Sequence, residues 1–344
     1  MEMLKVVIQQ DLLKLLTILI PTRNRADFII RLLEYYELLN FSGVVFIGDS
    51  SDITNYYQIQ YKIKKIKKYK VIIHHYPEKS IREVMELMSK KITTSYAMFS
   101  GDDDLIIPSG AVKAVHFLQK NNDYIAAHGA GYVFNVKNNG PYGEMTLISR
   151  YPQPGLENSS PLERVEGLFN SYWVPLFSIF RTSNFLSIWR GVSAIDDITL
   201  GSELIPAARA SILGKNKFIS TVSLLRQAHD SHHHLPIFSE LTARKGEGNL
   251  CELFVDECKQ CMAELGVPID ISRQCLLRAF KSYMLNSCRY EHIKNNKFSI
   301  YIRGLKIINY LRIIRKYLNI LILNNYLILR YSDIKTVFKL IEKS

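Results

Sequence analysis

The side chains best suited to chemistry lie in three short polar segments of this 344-residue chain, each placed directly after an apolar run. Asp102, Asp103 and Asp104 follow Tyr-Ala-Met-Phe-Ser-Gly. Three adjacent carboxylates repel one another in water, and a divalent cation such as Mg2+ or Mn2+ relieves that repulsion while keeping positions for phosphate oxygens. Such an ion can stabilise a departing nucleoside diphosphate. Acid runs also occur as solvated loops or helix starts. The strand-like run before this one, and Pro108 four residues after it, favour metal and diphosphate binding. Thr22, Arg23 and Arg25 follow Leu-Thr-Ile-Leu-Ile-Pro. The two arginines suit a phosphate or a base, or an ordinary solvated loop. Asp49, in Phe-Ile-Gly-Asp-Ser-Ser-Asp, can accept a hydrogen bond from a base or ribose, although Asp and Ser also form turns.

The elements that position these groups can be read from periodicity. Leu15 to Ile20 is a β-prone run ended by Pro21, and it reads as a buried parallel strand. From Asp27 to Leu39 the apolar residues Phe28, Leu32, Leu33, Tyr36 and Leu39 have helical spacing. Gly43 to Asp49, Tyr69 to His75 and Tyr96 to Phe99 read as further strands. Ser80 opens a helix to about Lys90, with Glu83 completing a capping box. Alternation of strand and helix from about residue 15 to 135 predicts an α/β, Rossmann-like fold with a mostly parallel sheet flanked by helices. In such folds ligands bind beyond the carboxyl ends of the strands, where all three polar segments fall.

Further along, residues 138 to 161 are rich in Gly, Pro, Asn and Ser and read as a mobile loop or inserted segment. Asp196, Asp197 and Glu203 precede a helical stretch to Leu213, and a helical pattern resumes from about residue 240. Tyr172 and Trp173 are read as core packing in preference to a sugar-stacking platform. His232, His233 and His234 are read as solvated.

Bulk properties narrow the class. A hydrophobic fraction of 47% excludes global disorder. A net charge of +12 favours anionic partners: nucleotides, nucleic acid or acidic lipid. Five cysteines with no recognisable leader fit a reducing cytosol. Cys258 and Cys261 form a C-x-x-C pair without a second one, which points to helix packing and not to zinc. No run is long and apolar enough to span a membrane. Arg278 to Ser344 carries fourteen lysines and arginines against three acids. Lys306, Arg312, Arg315 and Lys316 alternate with apolar residues, which suits an amphipathic helix on anionic lipid, a solvated helical subdomain or an oligomer interface.

Leu-Thr-Ile-Leu-Ile-Pro-Thr-Arg-Asn-Arg, Gly-Asp-Ser-Ser-Asp and Phe-Ser-Gly-Asp-Asp-Asp-Leu-Ile-Ile-Pro together resemble the family 2-type GT-A glycosyltransferases of bacteria, especially a group from surface-polysaccharide clusters. The resemblance spans about residues 15 to 135 well and 160 to 235 loosely. It implies a GT-A domain over 1–235, with a nucleotide-binding half at about 15–135 and an acceptor half at about 136–235, followed by a helical basic region over 236–344. Pro21, Thr22, Arg23 and Arg25 would line the nucleotide pocket, and Asp49 would recognise the base. Lys79 or Arg82 would reach the diphosphate, and Asp102 to Asp104 would form a DXD-like motif. Gly101 stands where an acid often begins that motif. The ribose contact therefore falls to Asp102 or Asp103, and Asp104 is the first choice for the metal, with Asp102 beside it.

The resemblance also implies a general base near the start of a downstream helix. Glu203 fits best and Asp197 is the reserve; a helix-start acid facing the dipole is the plainer reading. Arg226 and His229 would close over the diphosphate, His229 as a third metal ligand or a donor. The expected activity is inverting, metal-dependent transfer of a sugar from a nucleotide-sugar to a glycan or lipid-linked glycan. Mg2+ or Mn2+ is needed only for a diphosphate donor. The expected setting is cytoplasmic, peripheral at the inner membrane face, with an oligomer open. A nucleotidyltransferase would want a glycine-rich loop that Pro21 to Arg25 lacks. No nucleic-acid-binding motif is recognisable, so nucleic acid is not an expected partner. An inactive relative serving as an assembly partner is a further alternative.

Overall fold

The computed structural model describes residues 10–229, 247–300, 327, 330 and 332–342. Its first half alternates strand and helix: β1 (Leu16–Thr22), α1 (Ala26–Leu38), β2 (Val44–Asp49), α2 (Ile53–Ile63), β3 (Lys70–His75), α3 (Ile81–Ser89) and β4 (Tyr96–Phe99). These four strands pair in parallel in the order β3-β2-β1-β4. The outer residues of the run on β1 alternate between layers, Ile18 and Ile20 facing one core and Leu19 the other. On β2, Val45 and Ile47 oppose Phe46 in the same way. Burial on both faces explains why these strands read as unbroken apolar runs. The capping box expected at Ser80 and Glu83 is present and starts α3.

β1 does not stop at Pro21; it continues to Thr22, with Pro21 opposite Gly48 and Thr22 opposite Asp49 of β2. The missing N–H of Pro21 faces the β4 side, beyond the last pair, Leu19 with Phe99, so no ladder bond is lost. Thr22 is thereby carried one step further toward the acids that follow β4.

The second half contributes β5 (Leu105–Ile106), α4 (Pro108–Lys120), β6 (Tyr124–Val136), β7 (Met145–Tyr151), α5 (Pro161–Asn170), β8 (Ile179–Arg181), α6 (Thr182–Trp189), α7 (Ile205–Leu213) and β9 (Lys215–Ala228). The nine-stranded sheet runs β3-β2-β1-β4-β8-β6-β9-β5, with β7 on β6. β8 is antiparallel to both β4 and β6, while β9 runs parallel to β6. The α/β class expected from the alternation is therefore present, with the all-parallel ladder in the first half. The stretch 138–161 is not simply a loop. It contains β7, which returns along β6 after a turn at Asn138 to Gly143. The turn formers there, with Asn139 and Gly143 at positive φ, mask the strand that follows.

Helices α8 (Glu247–Ala263), α9 (Ile269–Ile300) and α10 (Ser332–Ile341) complete the described chain. α8 and α9 share one core with the sheet: Phe254 stands 5.1 Å from Phe169, and Phe280 joins the same cluster. α10 packs on the opposite layer through Ile334, Val337 and Ile341. Cys251, Cys258 and Cys275 are buried in the α8–α9 core and form no disulfide among the described residues. Among the described residues no helix is long and apolar enough to cross a membrane. The triplet His232 to His234 and the basic positions Lys306, Arg312, Arg315 and Lys316 lie outside the described residues.

Candidate active site

The carboxyl ends of β1 and β4 open into a cavity of about 570 Å3. Pro21, Thr22, Arg23 and Arg25 line one side, Asp102 to Asp104 the floor, and Lys79 and Ser80 the entrance to α3. Glu203, Arg226, Val174, Leu176 and Phe177 close the far side. Residues as far apart in sequence as Thr22 and Arg226 are thus brought to one sheet edge because strands end there.

The three aspartates are buried, and each has a different environment. Asp102 Oδ2 accepts from the Thr22 hydroxyl at 2.7 Å, and its Oδ1 pairs with Arg25 Nη1 at 2.8 Å. Asp103 Oδ2 is bonded to His229 Nε2 at 2.7 Å and accepts from Arg25 Nη2 at 3.1 Å. Asp104 Oδ2 lies 3.6 Å from Arg226 Nε, while its Oδ1 is buried with no hydrogen-bond partner. Burial pushes the carboxyls of Asp102 and Asp104 up, and the charge of Asp103 adds to it. Burial acts upward on Asp103 too, but the bonds from His229 and Arg25 outweigh it and hold this carboxyl low. Neighbouring acids pushed in opposite directions can take different roles at one pH.

Three arginines from two other elements, α1 and β9, answer the negative charge. Arg25 sits at the start of α1 with its guanidinium 4.2 Å from the Phe28 ring centre. Arg226, near the end of β9, has its guanidinium 4.6 Å from the Phe177 ring centre and 4.7 Å from that of Tyr151. Burial works against its charge, but Asp104, Tyr151, Asp103 and Glu203 together outweigh that and keep the guanidinium protonated. Arg31, fully buried in α1, donates to the Asp103 carbonyl at 2.8 Å, to the Pro141 carbonyl at 3.0 Å and to Gln227 Oε1. Repulsion among three bare carboxylates, the sequence argument for a cation, is therefore already relieved in part by arginines.

Does the site still fit a divalent ion? Among the described residues no group of three or more Asp, Glu, His or Cys side chains is disposed to hold one. Asp104 fits as a single protein ligand, because its Oδ1 is a desolvated oxygen without a partner. Mg2+ commonly takes one or two carboxylates and completes its shell with water and substrate phosphate. Of the two roles expected for His229, metal ligand or hydrogen-bonding group, the structure shows a hydrogen bond. Its ring is buried and its Nε2 is engaged by Asp103 and Arg25, so it positions these two groups.

Glu203 is half-buried in a single π-helical turn, Leu200–Leu204, at the head of α7. Turns of this kind widen a helix and often sit at functional positions. Its Oε1 accepts from the Tyr172 hydroxyl at 2.9 Å. Burial pushes its carboxyl up; Tyr172 and Arg226 oppose that. A carboxyl raised by burial and facing a cavity suits proton transfer. Asp197 is different: its Oδ1 accepts the amides of Thr199 and Leu200, a helix-capping role, and it does not line the cavity. Nor does Asp49, whose Oδ1 accepts from the Ser51 amide in the turn after β2. Its neighbour Ser50 reaches the cavity in its place. Arg82 also stays outside; its stem packs against Gly201 of the π-turn that carries Glu203.

Sequence reasoning missed Arg31 and the pairing of Tyr172 with Glu203. Arg31 had one visible signal, a charge on the face that Phe28 and Tyr35 bury. Tyr172 had none, since its partner is thirty-one residues away on another element.

No family model matches the chain, and no curated protein does. Among solved structures, Staphylococcus aureus TarS residues 1–349 is similar at 13% identity and a TM-score of 0.44, covering 80% of this chain and 91% of that one. The same protein in complex with UDP-GlcNAc is similar at 12% identity and a TM-score of 0.44, with 80% and 91% covered. A longer TarS structure is matched over 78% of this chain but only 54% of its own length, at a TM-score of 0.44. A likeness of this size concerns the general layout of the chain.

Proposed function

We propose that this protein is a glycosyltransferase that takes a nucleotide-sugar donor and moves its sugar to a hydroxyl of a glycan or lipid-linked glycan. The observation that carries the reading is the meeting of two kinds of group across one cavity. Arg25, Lys79 and Arg226 with the aspartate cluster are one kind, the acid Glu203 is the other, and all of them line it. The cations can hold a diphosphate, and Thr22 with Arg23 can flank the nucleoside at the end of β1. Asp102 or Asp103 would meet the ribose. Glu203 then accepts the proton of the incoming hydroxyl, and that oxygen attacks the anomeric carbon opposite the leaving diphosphate, inverting it. A Mg2+ or Mn2+ held by Asp104 would supply further positive charge to the leaving group. The expected nucleotide is a diphosphate; a cytidine-monophosphate sugar would need no such ion.

Titration calorimetry with UDP, GDP and CMP, each with and without Mn2+, tests the reading on wild type and Asp104→Ala. UDP or GDP binding that Mn2+ strengthens, with that Mn2+ increment lost in Asp104→Ala, is the expected outcome. Metal-independent CMP binding would replace the donor. No binding of any of the three would overturn the donor site.

A further inference from the structure

The outer face of α2 has an apolar stripe where a solvent-facing helix should be polar. Ile59, Ile63 and Ile66 turn inward onto the core. On the opposite side Ile53, Tyr57 and Tyr61 recur at four-residue spacing and are 52%, 59% and 64% exposed. Lys65 continues the same line, its ammonium 4.0 Å from the Tyr61 ring centre. The turn after α2 adds Lys64 and Lys67, both exposed. Between residues 53 and 70 the chain has six lysines and no acid. Lys64, Lys65 and Lys67 have no carboxylate partner among the described residues.

A solvated lysine face is common, but it does not need a row of exposed Ile and Tyr beside it. The two together match the boundary of an anionic bilayer. Tyrosine rings sit at headgroup depth and an aliphatic side chain goes below them. Lysines pair with acidic headgroups, and each contributes to the attraction. Nucleic acid would use the lysines but leave Ile53 without a partner.

We propose that this face of α2 and the turn after it form a docking surface for an anionic membrane. This surface belongs to a different part of the sequence from the C-terminal segment to which the basic pattern points. α2 starts just past the end of β2, where the Asp52 amide donates to Asn24 Oδ1 at 2.9 Å. The stripe therefore begins beside the rim of the cavity. A lipid-borne acceptor, if the activity is the one proposed above, would reach the cavity from that side. The docking surface itself does not depend on that activity.

The experiment is flotation of the full chain with phosphatidylcholine vesicles, with and without phosphatidylglycerol, over a salt series. Binding should require phosphatidylglycerol and weaken with salt. Lys64→Gln/Lys65→Gln/Lys67→Gln should weaken it on the order of 100-fold. Tyr57→Ser/Tyr61→Ser should weaken it roughly 10-fold and make what remains more salt-sensitive. Thermal melting of both variants checks that the fold is kept. Four results would overturn the proposal: no phosphatidylglycerol-dependent binding; undiminished binding by both variants; binding lost only in Lys306→Gln/Arg312→Gln/Lys316→Gln; or a stripe that instead mediates self-association, seen by light scattering and abolished by Tyr57→Ser/Tyr61→Ser. Tight binding of an RNA oligomer with no vesicle binding would assign the face to nucleic acid and overturn it equally.

Discussion

The Tyr172 hydroxyl donates to Glu203 Oε1 at 2.9 Å and joins the segment that walls the cavity to the acid that faces it. The bond favours the carboxylate against the burial that pushes this acid up. If Glu203 is the base, it must be ionised to work, so the Tyr172 bond widens the active pH range on its acidic side. Tyr172→Phe should shift the acidic limb of the kcat/KM profile to higher pH while leaving nucleotide affinity unchanged. Glu203→Gln should lower kcat by about 10^2 to 10^4-fold with donor binding intact. A Glu203→Gln enzyme with near-normal turnover would remove this residue from the chemistry.

Asp103 and Asp104 should separate by the kind of binding they support. Asp103 organises Arg25 and His229, whereas Asp104 offers an unpartnered oxygen. Asp103→Asn should weaken nucleotide binding with and without Mn2+, because Arg25 loses an ionic partner. Asp104→Asn should remove only the increment that Mn2+ adds. Identical losses in both variants under both conditions would show that the cluster acts as one unit, and the separation argued here would be wrong.

What could be read from the sequence follows the range of the forces involved. Thr22, Arg25 and the aspartates were legible because each sits at the end of an apolar run, and a parallel sheet gathers strand ends at one edge. The capping box at Ser80 was legible because both partners lie within four residues. The neutralisation of Asp104 by Arg226 was not, since it depends on β9 lying next to β6 and β5. Arg31 was hidden by a sound rule, that a helix normally turns its charges outward. From sequence Glu203 ranks first as the base, with Asp197 in reserve. The structure separates them by which way each carboxyl points: to backbone amides in one case, to the cavity in the other. β7 was concealed because turn-forming residues dominate the stretch before it.

Glu86 gives a test of acid stability away from the cavity. Its Oε1 accepts from Lys90 at 2.8 Å, and its Oε2 accepts from the Ser193 amide at 3.0 Å and hydroxyl at 2.7 Å. It thereby ties α3 to the turn before α7. Burial acts upward on this carboxyl, but the bonds from Lys90 and Ser193 outweigh it and bring it down to about 2. A carboxyl lower in the folded than in the unfolded state stabilises above its unfolded pKa and loses that contribution as pH falls toward the folded value. Glu86→Gln should cost on the order of 3 kcal/mol at neutral pH. The gap to wild type should close between about pH 4.5 and 2. Melting curves across that range check it; a gap independent of pH would mean that packing and not charge is lost.

Arg31 supplies the last prediction, because it links the aspartate motif to two other elements from inside the core. Its guanidinium donates to the Asp103 carbonyl, the Pro141 carbonyl and Gln227 Oε1, from α1 to the ends of β4 and β9 and the turn after β6. Burial brings it down to about 10, so it remains charged at neutral pH. Lysine cannot reproduce the planar fork that reaches three acceptors at once. Arg31→Lys should therefore destabilise the fold by about 2 to 4 kcal/mol. Arg31→Met removes the charge but leaves the same acceptors buried without donors, so it should not recover stability. Both should also weaken nucleotide binding, since the Asp103 backbone loses the bond that fixes its position. Thermal melts paired with calorimetry read the two effects separately. A stable Arg31→Met protein with full nucleotide affinity would mean that the aspartate motif is held by β4 and β5 alone, and that Arg31 merely fills space.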